Sequence, residues 1–146
     1  MKLTSIVFIC LISTLFFNGC SNKKVVNHNY IYVGESKNWS AEYQVTGKGV
    51  FTEDTNHKTS YENQSQSKFT LTYKGSLAEL ASIKHFEYGF QSSSRGTKQS
   101  QDSPPKEKVL ILKNAPGNGA IEIKDEIIKA TVVVDDITET IELKSK

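Results

Sequence analysis

The sequence predicts an all-β fold of antiparallel strands, on three observations. Apolar and polar residues alternate with a period of two through much of the chain, the mark of strands with one dry and one wet face. Clusters of Gly, Asn, Asp and Pro interrupt that alternation at short intervals. Helical character is confined to one brief segment. Together they point to an antiparallel β-sandwich of immunoglobulin-like type, formed as a single domain over residues 29–146.

The elements follow in order. Trp39, Ala41, Tyr43 and Val45 alternate with Ser40, Glu42, Gln44 and Thr46. Phe69, Leu71 and Tyr73 alternate with Thr70 and Thr72, and Phe86, Tyr88 and Phe90 with His85, Glu87 and Gln91. Further strands are expected at 29–33, 49–53, 57–63, 108–113, 119–123, 127–134 and 138–144. Val132, Val133 and Val134 are β-branched on both faces and suit a central strand. Turns are expected at Gly47-Lys48-Gly49, Asp54-Thr55-Asn56, Pro116-Gly117-Asn118-Gly119 and Asp135-Asp136. A short connecting helix fits 77–81, where Ser76 and Glu79 stand at capping-box spacing. Trp39, the only tryptophan, sits in an alternating apolar face and is expected in the core. Residues 92–107 contain no apolar side chain beyond Pro104 and Pro105 and read as a long polar loop. Ser92, Arg95, Lys98 and Asp102 make this loop the candidate partner-contact surface.

The first nineteen residues are unlike the rest. Lys2 precedes an apolar run at 6–17 broken by Ser13 and Thr14, too short for a spanning helix of about 20 residues. It has the form of a secretory signal core. The run ends in Phe17, Asn18, Gly19 and Cys20, which resembles the lipobox of bacterial lipoproteins. That resemblance implies cleavage after Gly19 and lipid attachment at Cys20; the plainer readings are an uncleaved anchor or a secretory signal beside a chance cysteine. With Cys10 removed and Cys20 lipidated, the mature chain would hold no free thiol. Residues 20–28 would then form a polar leash. Setting aside Lys2 takes the net charge from +2 to +1, which argues against a general nucleic-acid binder.

Chemistry is sparse. His28, His57 and His85 are far apart in sequence, and no G-x-S-x-G elbow is present. The two S-x-x-K matches, at 65–68 and 103–106, are expected by chance in so Ser-rich a chain. No histidines or cysteines stand at zinc-ligand spacing. Asp125, Glu126, Asp135, Asp136 and Glu139 offer hard oxygen ligands without the spacing of a calcium loop, and read as solvated strand ends. No catalytic, cofactor-binding or metal-ligating residue is assigned, and no cofactor is expected.

Gly34, Glu35, Ser36, Lys37, Asn38 and Trp39, followed by Ala41, Glu42 and Tyr43, resemble a recurrent opening in small uncharacterised lipoproteins of bacilli and related Gram-positive bacteria. The resemblance extends through the order of later elements and covers most of the mature chain. Lys37 departs from the usual Glu, and Asp135-Asp136 from the commoner Asp-Gly turn. It implies a lipid-anchored β-sandwich on the extracytoplasmic face of the membrane and carries no catalytic residues. The function expected is therefore a binding or accessory role at the cell envelope. The partners expected are the membrane, through lipid on Cys20, and another envelope protein. A protective, immunity-type lipoprotein and a small hydrolytic enzyme stand as alternatives, and the oligomeric state is open.

Overall fold

The computed structural model describes residues 22–146; the signal segment, Gly19 and Cys20 lie outside the described residues. The strands are β1 (Asn22–Glu35), β2 (Trp39–Glu53), β3 (Thr59–Tyr73), β4 (Phe86–Gln91), β5 (Gly96–Gln101), β6 (Val109–Gly117), β7 (Ile128–Val134) and β8 (Ile137–Ser145). They run antiparallel in the order β5-β4-β7-β8-β1-β2-β3-β6. The predicted all-β antiparallel class is what the chain adopts. The strands form one nearly closed sheet rather than the two separate sheets of the expected immunoglobulin-like sandwich, because β1 pairs with β8 and links what would otherwise be two layers.

The alternating residues build the interior. Tyr32, Tyr43, Phe69 and Leu112 stand opposite one another across β1, β2, β3 and β6, and all four are buried. From the other half, Phe90, Ala130 and Ile141 form a matching row. The two halves meet through aromatic rings: Phe90 packs on Tyr43 at 4.6 Å and on Phe69 at 5.2 Å, and Trp39 stacks on Phe86 at 5.6 Å. Trp39 is thus a core residue, as its alternating position predicts. The short helix is a single 3-10 turn, Leu77–Leu80, which buries Leu80 in the core. Glu79 accepts hydrogen bonds from Ser76 N (3.1 Å) and Ser76 Oγ (2.7 Å). The Asp135-Asp136 turn forms as expected, with Asp135 at φ 52 and its Oδ1 accepting from Lys84 N and His85 N.

Four local expectations are corrected. Residues 22–28, expected as a leash, are the first half of β1, paired with β2 from Asn22↔Glu53 onward. Within 92–107, residues 96–101 are β5; polar residues on both faces hid the alternation. Gly47 and Gly49 do not turn the chain but lie in mid-strand. A Cβ on Gly47 would stand 2.8 Å from Ile121 Cδ1, and one on Gly49 2.5 Å from Tyr61 Oη, so these glycines mark close approach. Residues 119–123 are not a strand; they belong to a connector between β6 and β7 that crosses the interior face at Gly47 and Tyr32.

One consequence positions everything else. β6 pairs with β3 from Ser65 to Thr72, and β8 reaches β1 only at Tyr32 and Val33. Residues 22–27, 48–53 and 59–64, six rows in register, therefore project as a three-stranded arm, about 17 Å long at the usual strand rise. The joint between β1 and β8 is short, with Lys146 N donating to Ile31 O (2.9 Å) just beyond it. It tolerates no bulk: a Cβ on Gly34 would lie 2.3 Å from Glu142 O. Gly34→Ala is expected to cost about 1–3 kcal/mol through that overpacking, read as a lower urea midpoint at unchanged slope.

Candidate functional site

The end of the barrel nearest the arm is closed by a buried carboxylate. Glu122, from the connector, has no side-chain exposure and lies beneath β2 and the β4–β5 turn. Its Oε1 accepts from Tyr43 Oη (2.7 Å) and Ser92 Oγ (2.8 Å), and Arg95 Nε stands 3.2 Å away. Arg95 also donates from Nη2 to Ser65 Oγ (2.6 Å) and Ala120 O (3.3 Å). Ser92 Oγ in turn accepts from Arg95 N (3.0 Å), which fixes the turn that delivers the guanidinium. Glu122 Oε2 has no hydrogen-bond partner among the described residues. Burial pushes the phenols of Tyr43 and Tyr32 well above their ordinary value; Tyr32 Oη donates to Ile123 O at 2.7 Å.

The same end ties together the two edges of the sheet. Thr97 Oγ1 on β5 donates to Asn114 Oδ1 on β6 (3.1 Å), and Asn114 Nδ2 donates to Ser67 Oγ (3.2 Å). Further along, β5 and β6 separate. A cleft of about 620 Å³ opens between them, lined by Tyr88, Gln99, Gln101, Pro105, Val109 and Ile111 among others. Neither β5 nor β6 pairs with a further strand among the described residues, so their outer backbone edges face this seam. Gln99 and Gln101 are directly opposite Tyr88 and Phe86 on the inward face of β5. Tyr88 Oη donates to Gln99 Oε1 (3.0 Å), and Gln101 Nε2 donates to Ser103 O (3.0 Å). Val109 and Ile111 are 43% and 48% exposed, unusual for β-branched residues on a strand edge.

The residues expected to form one contact surface are separated. Ser92 and Arg95 face inward to Glu122. Lys98, on the outer face of β5, pairs with Glu87 at 3.1 Å. Asp102, past the opposite end of β5, stands 2.8 Å from His85 Nδ1. That His–Asp pair has the geometry that orients a catalytic imidazole, but the two side chains are 41% and 89% exposed, and neither lines the cleft. The acidic residues near the C-terminus are dispersed too: Glu126 takes the hydrogen bonds of Ser93 N and Oγ, Glu139 that of Asn38 Nδ2, and Asp135 those of Lys84 N and His85 N. Among the described residues no three His, Cys, Asp or Glu side chains converge as for a metal ion.

Sequence reasoning missed Glu122 and the seam. Flanked by Ile121 and Ile123, Glu122 reads as the wet position of a strand; its partner Arg95 lies in a segment distant in sequence. No family model, curated protein or solved structure matches the chain.

Two outcomes test this end of the molecule. Arg95→Met leaves a buried carboxylate without its counter-charge and is expected to cost about 3–5 kcal/mol; adding Glu122→Leu should restore much of that loss in urea unfolding. The raised phenols set an alkaline limit. In the unfolded chain they ionise near pH 10, whereas in the folded chain they keep their protons. Their stabilising contribution is therefore complete below about pH 10 and is lost as pH rises beyond it. Urea titrations between pH 8 and 11 should show that decline, with a shallower slope for Tyr32→Phe.

Proposed function

We propose that the chain is a lipid-anchored extracytoplasmic protein of the cell envelope that binds an extended segment of another envelope protein along the β5–β6 seam. Support for the anchor comes from the signal-like segment and the lipobox resemblance at Gly19 and Cys20. The binding role rests on one observation: two unpaired strand edges flank a cleft whose walls combine exposed Val109 and Ile111 with the amides of Gln99 and Gln101. Unpaired edges supply backbone donors and acceptors, and alternating side chains of an added strand would find apolar and amide surfaces in turn. Thr97 and Asn114 hold one end of the seam shut, which sets where an incoming strand stops.

A photo-crosslinking residue at Gln99, in intact cells, tests this. It should form a discrete adduct with an envelope protein. Val109→Lys with Ile111→Lys charges the edge and should abolish the adduct while leaving the melting temperature within a few degrees, since both residues are surface-exposed. An adduct that survives the double substitution places the contact elsewhere.

A further inference from the structure

The arm carries apolar groups that the fold does not use. Phe51 and Tyr61 face one another across β2 and β3 with ring centroids 4.5 Å apart, at 39% and 45% exposure. Val25, on the opposite face, is 49% exposed. The row of Lys24, Phe51 and Tyr61 lies two residues from the end row of Asn22, Glu53 and Thr59. At the usual strand rise that is about 7 Å from the end of the arm. The Tyr61 ring lies over Gly49, nearer the barrel, so its hydroxyl points away from the tip.

The chain also ends its described course here. Asn22 is at the arm tip, beside the 54–58 turn. Only Ser21 separates it from Cys20, and two residue steps reach at most about 7 Å. A lipid on Cys20 thus leaves the tip no room to stand clear of the surface.

We infer that the arm tip, with Phe51, Tyr61 and the 54–58 turn, seats in the headgroup layer of the bilayer that holds the Cys20 lipid, so that the arm is a stalk and the barrel's far end points outward. The inference rests on the lipid-anchor reading above. A depth of about 5–10 Å is that of interfacial apolar groups, and an aromatic ring with its hydroxyl toward water suits that layer. Charge contributes little: Lys23, Lys24 and Lys58 stand against Glu53 and Asp54. Glu53 is 2.8 Å from His57 Nδ1, and Asp54 Oδ1 accepts from Asn56 N and Lys58 N within the turn. Seating should therefore survive high salt.

The test uses the full lipid-modified chain in vesicles of phosphatidylglycerol and phosphatidylethanolamine in equal parts, with bromine on the acyl chains near the carbonyl. Trp39 is buried and gives a constant background. Phe51→Trp should add blue-shifted emission that the brominated lipid largely removes, at low and high salt alike. Ile137→Trp, on the β7–β8 turn at the opposite end, should add emission that the lipid leaves intact. Equal quenching of the two variants, or none for Phe51→Trp in protein that floats with the vesicles, overturns the inference. So does a concentration-dependent blue shift of Phe51→Trp in detergent without vesicles, which would assign the patch to a second copy of the chain. Flotation of Cys20→Ala equal to that of the parent would instead overturn the anchor reading itself.

Discussion

A carboxylate with no access to water must be matched by donors, and one end of this barrel is arranged around that demand. Glu122 draws Tyr43 from β2, Ser92 and Arg95 from the β4–β5 turn and, through Arg95, Ser65 from β3. These residues come from both halves of a sheet that is otherwise continuous only through the short pairing of β1 with β8. The ion pair acts less as a source of net stability, since desolvating two charges offsets much of their attraction, than as a constraint on which segments can occupy that end. A chain that placed the connector or the turn elsewhere would leave one charge buried alone.

The two ends of the seam differ for this reason. Next to Arg95, Thr97 is brought within reach of Asn114, and the edges of β5 and β6 are bridged by side chains. Away from the ion pair nothing comparable draws them together. Gln99 and Gln101 replace the apolar residues a closed barrel would carry there, and the cleft opens. Inward amides, exposed edge valine and isoleucine, and a buried Pro105 in the connection from β5 to β6 make the opening a built feature of the sequence. On the proposed orientation it lies away from the membrane, where another envelope protein would meet it.

How much of this was legible varies with how local the cause is. The strands around Trp39, Phe69 and Phe86 were readable because each buries one face, and burial writes a period of two into the sequence. The Asp135-Asp136 turn was readable from the conformational tolerance of its own two residues, and the Ser76–Glu79 cap because its hydrogen bonds span only three residues. β5 was not, because one of its faces lines an open seam and the other meets solvent, so both are polar. The first half of β1 was hidden in the same way, since the arm has no core on either side. Gly47 and Gly49 carry the signal of a turn and the cause of a close crossing; only Ile121 and Tyr61, from other segments, distinguish the two. Glu122 was hidden because the charge that accounts for it lies 27 positions earlier in the chain.

Among the described residues the sheet is closed everywhere except at the seam. Backbone amide hydrogen exchange of the native protein tests it most directly. Slow exchange is expected through the core of β2, β3, β7 and β8, with protection at the β1–β8 joint around Tyr32 and Val33, and fast exchange for alternate amides of β5 and β6 that face the cleft. Slow exchange at every amide of β5 and β6 would mean that these edges are hydrogen-bonded to each other. That result would contradict the open seam and the binding role drawn from it.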